Sequence, residues 1–280
     1  MIRVPVAALA VLACALAPMA IAQTIPAYVT AAVSDAHRPP ADKMRDANRK
    51  PAESIAFAGV KPGDKVVDFI AGGGYFTRVL SKVVGPQGHV YATAPAPAMP
   101  MGNMGQGAMP MANMPTGTMP QNGMAQNGNV PMGGMGGANE LNAIASDSAY
   151  SNVTALSQST SKLMVPQAVD VVWTSQNYHD LHNPGTLHAD DMAALNKSIF
   201  DALKPGGVFL VIDYAAAPGT GFMQSGTLHR ADAEAEKAEI LKAGFVFDGE
   251  SKILARPNDP HTMRAHEQDD QFMFRFRKPK

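Results

Sequence analysis

Cysteine is nearly missing from this chain. Of 280 residues only Cys14 carries a thiol. It lies in residues 1–22, which have the form of a secretory leader: Arg3 at the positive start, an apolar stretch over 4–19, and Ala20-Ile21-Ala22 as a small–x–small cleavage site before Gln23. Removal of the leader excludes disulfides, cysteine metal sites and cysteine nucleophiles. A long hydrophobic run is the second absence. The apolar stretch of the leader is short for a bilayer span and is interrupted by Pro5 and Pro18. Cleavage without a lasting membrane anchor is therefore expected, and the lipidation box around Cys14 is poor. The third absence is a charge excess of either sign. Lys and Arg number 23 against 24 Asp and Glu, a net charge of −1. Nothing in that balance suggests a nucleic-acid backbone or an anionic membrane surface as partner, since each favours a basic face. The expectation is an exported, periplasmic protein whose partner is a small molecule.

What is present begins at residues 65–76, KVVDFIAGGGYF. A short apolar run carries an acidic residue, three glycines follow, and an aromatic pair opens a segment with helical spacing through Phe76, Val79, Leu80 and Val83. Glycines between a strand and a helix let the backbone approach a ligand, because no Cβ stands in the way. The helix start adds free N–H groups. The spacing predicts a strand over 65–70, a helix over 75–84 and a strand over 89–93, which is βαβ grammar. A short helix is expected over 51–58, after a polar stretch at 31–50 that Pro39-Pro40 breaks early. Further strands are predicted over 153–156, 168–174, 208–214, 245–254 and 271–277, with helices over 139–149, 190–203 and 231–243, the last closed by Gly244. This order predicts a single α/β domain over 23–280: an open, mostly parallel seven-stranded sheet with helices on both faces, Rossmann-like, whose last strand pair is antiparallel.

Residues 94–138 interrupt the pattern. They contain no charged residue and hold ten of the 18 methionines, with no hydrophobic period, and read as a low-complexity insertion. Thioether sulfur is a soft donor that selects Cu(I), and Met99 with Met101 or Met111 with Met114 have suitable spacing. No His or acidic residue joins them, so a plain tether is the other reading.

Polar groups gather after the predicted strand at 168–174: Asn177, Tyr178, His179, Asp180 and His182. Loops at the carboxyl ends of strands line the ligand crevice of an open α/β sheet. His179 is a candidate general base near neutral pH. Asp180 could orient His182, or either could bind metal; the alternative is a loop that caps the next helix. Asp213 and Tyr214 end the strand at 208–214, and His229 with Arg230 follows a glycine-rich link. These could complete the same crevice, with Arg230 holding a carboxylate or phosphate by its fork or pairing with Asp232. His261, His266, Asp269 and Asp270 read as a solvated loop, and no metal site is assigned.

Taken together, the chain resembles the class I S-adenosylmethionine-dependent methyltransferases, and more closely a group of exported bacterial proteins described as predicted methyltransferases. The resemblance covers most of 38–278 apart from the Met-rich insertion. It is carried by VVDFIAGGGYFTRVLSKVVGPQGHVYA (66–92), QNYHDLH (176–182), LKPGGVFLVIDYAAAPGTG (203–221), TLHRAD (227–232) and KAGFVFDGES (242–251). It implies that Asp68, Gly72, Gly73, Gly74 and Asn177 hold S-adenosylmethionine, that Tyr178, His179 and Asp180 face the acceptor, and that the activity is methyl transfer to a small acceptor in the cell envelope. Two positions depart from the pattern. Ile70 stands where a glycine is expected, and a branched side chain there fills ligand space and resists a positive φ. Ala94, or its neighbour Thr93, stands where an acid would take the ribose hydroxyls. These departures keep a second expectation open: a catalytically degenerate binding protein on the same fold, for a nucleoside-like ligand or Cu(I).

Overall fold

The computed structural model describes residues 24–96 and 134–280. Residues 1–23, which include the expected leader, and residues 97–133 of the Met-rich segment lie outside the described residues, and so do the expectations attached to them. Three helices open the described chain: α1 (Ala27–Ser34), α2 (Pro40–Arg49) and α3 (Pro51–Ala58). Helices α1 and α2 replace the broken polar stretch that the sequence suggested. Pro40 sits in the first turn of α2, where a missing N–H costs nothing and the ring pre-sets a helical φ. A proline pair that reads as a breaker is here a start signal.

Strand β1 (Lys65–Phe69) passes through the glycine turn to α4 (Tyr75–Val84), then to β2 (His89–Pro95), α5 (Gly134–Ser146), β3 (Val153–Gln158) and β4 (Val169–Ser175). There follow α6 (Ala189–Ala202), β5 (Leu203–Tyr214), the single turn α7 (Ser225–Leu228), α8 (Ala233–Leu241), β6 (Val246–Ser251) and β7 (Gln271–Arg277). Regular structure reaches into the Met-rich segment from both sides. Ala94 and Pro95 extend β2, because β3 pairs with them at Ser157 and Gln158. Residues 134–138 belong to α5, which lies against the glycine turn: a Cβ at Gly137 would come within 3.1 Å of the Gly72 carbonyl oxygen.

The strand order is β3-β2-β1-β4-β5-β7-β6. The first five are parallel, and β7 runs antiparallel to both β5 and β6. This is the mostly parallel seven-stranded sheet, with its last pair antiparallel, that the sequence predicts. Side chains alternate across it with period two. Val66, Val171, Trp173, Leu210 and Ile212 bury one face against α1, α3, α4 and α5. Val67, Phe69, Val172, Phe209 and Val211 bury the other against α6 and α8. Trp173 is fully buried, its ring 4.6 Å from that of Phe76 on α4, and its truncation to alanine would cost about 3–5 kcal/mol.

Strands β1 and β4 are neighbours, yet the chain leaves β1 toward β2 on one side and β4 toward β5 on the other. Their carboxyl ends therefore bracket the crevice that an open α/β sheet offers to a ligand.

Candidate functional site

The residues that follow β1 and β4 are both forced into left-handed backbone: Ile70 has φ 54° and Gln176 φ 62°. A β-branched residue resists that conformation, and such strain persists only where neighbours over-determine it. They do. The Ile70 N–H donates to Thr93 Oγ1 at 2.9 Å, and its carbonyl accepts from Asn177 Nδ2 at 2.7 Å. Asn177 also donates to the Ser175 carbonyl at 2.7 Å. It thus laces the ends of β1 and β4 together.

Ile70 borders two cavities, and Gly72 and Asn177 border both as well. The larger, about 290 Å³, has Asp68, Gly72, Gly73, Asn177, Arg45 and Arg49 among its walls. The smaller, about 100 Å³, is mainly apolar and is lined by Ile70, Gly72, Ala94, Pro95, Gly137, Asn177 and Asp180. Ala94 is thus beside the strand end where an acid was expected, and an aspartate there would face the smaller cavity. Gly72 is in left-handed backbone at φ 56°, which only glycine adopts at no cost. Gly74 packs instead of binding: it ends the turn at φ 76°, and a Cβ on it would overlap Ile144 of α5 at 2.3 Å.

Asp68 lies on the α4 face and is almost inaccessible; its carboxylate accepts from Thr77 Oγ1 at 2.6 Å. Burial pushes its pKa up to about 7, against the opposing Thr77 bond and Arg49 charge. Across the cavity, Arg45 and Arg49 come from α2, four residues apart and so on one face. Both guanidinium groups stack near the Tyr75 ring, with centroid distances of 5.3 and 4.7 Å. They share one carboxylate, that of Glu267, with the Arg49 Nε bond at 2.7 Å. Two cations against one anion leave positive charge at this wall. The sequence offered a signal for it in the Arg45–Arg49 spacing, but nothing that tied α2 to the glycine turn.

The loop after Asn177 does not face the acceptor as a unit. The Tyr178 ring is buried in the core of the opposite face, and its hydroxyl donates to Glu239 at 2.7 Å and accepts from Asn196 at 2.7 Å. It lines neither cavity at the crevice, which corrects its assignment toward the acceptor. The short 3-10 turn His179–His182 turns consecutive side chains apart. His182 stacks on Phe222 and pairs with Glu239 at 2.9 Å, so Asp180 does not orient it.

Asp180 joins His179 and His229 instead. His179 Nδ1 lies 2.6 Å from Asp213 Oδ1, and the His179 backbone N–H donates to Asp213 Oδ2 at 2.7 Å. Its Nε2 faces His229 Nδ1 at 3.3 Å and Asp180 Oδ1 at 3.3 Å. His229 Nδ1 is 2.9 Å from the same oxygen. Burial alone would lower His179, but the Asp213 and Asp180 charges and hydrogen bonds outweigh it and push it up to about 10. The ring is 1% exposed and lines neither cavity, with Nδ1 taken by Asp213, so it does not face an acceptor in the crevice as the general-base expectation required. Behind it, Glu236 is fully buried and held neutral far above the usual carboxylate range, by burial first and then by Asp213 and Glu239. His229 reaches the cluster because α7 ends on it in left-handed backbone at φ 53°. Arg230 turns inward and binds neither ligand nor Asp232. It is fully buried, bonded to Asp259 at 2.8 Å and to the Met263 and Ala215 carbonyls at 2.9 Å, and anchors the 259–269 loop.

Solved structures share this architecture. A SAM-dependent methyltransferase from Aquifex aeolicus is similar over 85% of this chain and 93% of its own, at 16% identity and a TM-score of 0.51. The fold is that of the class I SAM-dependent methyltransferases. An arsenic(III) S-adenosylmethionine methyltransferase from Chlamydomonas reinhardtii has the methyltransferase fold in common with 91% of this chain and 74% of its own, at 17% identity and a TM-score of 0.50. No protein-family model matches the chain, and no curated protein matches it in sequence. At these identities the likeness establishes the methyltransferase fold, and the chemistry has to be argued from the site.

Proposed function

We propose that the protein binds S-adenosylmethionine in the crevice between β1 and β4 and methylates a small acceptor, in the cell envelope to which the leader at 1–22 points. One observation carries this reading: the larger cavity has a buried carboxylate, Asp68, on one wall and the Arg45–Arg49 pair on another. That is the charge pattern of a free amino acid, whose ammonium suits Asp68 and whose carboxylate suits a guanidinium fork. S-adenosylmethionine has such an amino-acid end. Gly72 and Gly73 bring bare backbone to the same cavity. The smaller, mainly apolar cavity beside Ala94 and Pro95 suits a flat apolar ring. When bound, the cofactor supplies an electrophilic methyl group. The protein's own contribution is orientation, with Asn177 holding the two strand ends in register.

Calorimetric titration of the protein with S-adenosylmethionine and S-adenosylhomocysteine tests this reading. Saturable heat is expected from both, with affinity at least ten-fold weaker in Arg49→Ala. Silence from both at millimolar ligand would reject it. One observation favours the second reading, a binding protein without catalysis: a branched residue, Ile70, borders both cavities where bare backbone would leave more room for an extended ligand. Silence in the native protein, with heat restored by Ile70→Gly, would favour that reading.

A further inference from the structure

We propose that His179, Asp180 and His229 form a site for a single divalent transition-metal ion of the zinc type. The three donor atoms, His179 Nε2, His229 Nδ1 and Asp180 Oδ1, form a triangle with edges of 3.3, 3.3 and 2.9 Å. Bonds of about 2.0–2.1 Å at the tetrahedral angle put neighbouring donor atoms about 3.3–3.4 Å apart. The triangle is therefore close to one face of a tetrahedron, two edges at the ideal and the His229–Asp180 edge a few tenths of an ångström short of it. Among the described residues this is the one group of three or more His, Cys, Asp or Glu side chains whose ligand atoms converge in this way.

The surroundings match a metal site as well. Metal-bound histidines usually give their other ring N–H to a carboxylate, which fixes the tautomer and orients the ring. Asp213 does this for His179: it takes Nδ1–H at 2.6 Å and is itself held by the His179 and Tyr214 backbone N–H groups at 2.7 and 2.8 Å. An ion bound at Nε2 displaces the proton there, and the ring, neutral once that proton is gone, gives its Nε2 lone pair to the metal. The Asp180 oxygen accepts a further bond from Asn183 Nδ2 at 2.9 Å, so the liganding carboxylate is oriented too. Two neutral imidazoles with Asp180 and Asp213 balance a double positive charge. Two histidines and one carboxylate suit zinc, and such three-ligand sites leave a fourth position for water or a substrate atom. Asp180 is also a wall of the smaller cavity, so a ligand bound in the crevice comes close to the ion.

The test uses the untagged full chain, stripped with a chelator and titrated with Co(II), then with Zn(II) as competitor. The expected result is one Co(II) per chain with the intense visible bands of a tetrahedral ion, abolished by Zn(II). His229→Ala and Asp180→Asn should each weaken binding at least ten-fold. Asp213→Asn should weaken it about 10–100-fold, as loss of an orienting partner does, while His266→Ala, an exposed histidine elsewhere, should leave it unchanged. His229 is partly exposed, and circular dichroism confirms that its variant folds. Absence of the bands, binding that survives His229→Ala in a folded protein, or loss with His266→Ala would each overturn the proposal.

Discussion

Two buried carboxylates lie near strand ends of the same sheet and meet opposite fates. Asp68 follows the α4 face, has Thr77 as its side-chain partner, and borders a cavity of about 290 Å³. Asp213 stands one residue before the end of β5 on the other face, fully buried, and already takes three donors from its own chain, two backbone N–H groups and the His179 ring. The first has capacity left for a ligand. The second is largely spent and borders neither cavity of the crevice, and its charge goes into holding an imidazole in place. Burial alone thus does not separate a binding group from a positioning group; the count of donors already spent on it does.

The comparison can be broken most severely at Asp213. Asp213→Ala leaves the buried His179 without its partner, and loss of one member of a buried pair costs about 3–5 kcal/mol, read as a fall in unfolding free energy in urea. Asp68→Asn should act in the opposite direction. Because the folded pKa of Asp68, about 7, lies above its ordinary value of 3.8, the folded chain holds that proton more tightly than the unfolded one. The stability this gives is complete below about pH 4 and is lost as pH rises toward 7. At pH 8 the amide, which still accepts from Thr77, should therefore stabilise the protein by about 2–4 kcal/mol, and below pH 4 by almost nothing. Ligand affinity should run the other way, strengthening as pH rises through 7 in the native protein and staying weak in Asp68→Asn. Ile70→Gly leaves more room beside both cavities and removes a strained branched residue; S-adenosylmethionine should bind about ten-fold more tightly, roughly 1.4 kcal/mol. Thr77→Val is the mildest change. It removes the Asp68 hydrogen bond and should cost about 1 kcal/mol, while moving the pH midpoint of ligand binding upward.

The sheet was legible because its signals are local. The alternation of Gln271–Arg277 and the helical spacing of Tyr75–Val84 identify β7 and α4 with their observed ends. The glycine turn, Asp68 and Asn177 could be assembled into one crevice because the rule for open sheets brings the ends of β1 and β4 together. The direction of Tyr178 could not be read, since a tight 3-10 turn throws neighbouring residues to different sides. Nor could the partners of His179: Asp213 and His229 lie 34 and 50 residues away, and only the finished fold brings them into contact. Arg45 and Arg49 were hidden for a different reason, because Pro39-Pro40 masked the helix that carries them.

Strand β7 is seventh in sequence but lies inside the sheet, between β5 and β6. Its hydrogen bonds complete β5 and give β6 its only partner among the described residues, so a chain cut before Gln271 would bare the outer edge of β5 and leave β6 unpaired. Assembly of this half of the molecule must wait until nearly all of the preceding chain has been threaded past. An intermediate halted before that step would carry an open slot of strand width, ready to accept any extended segment that drifts in.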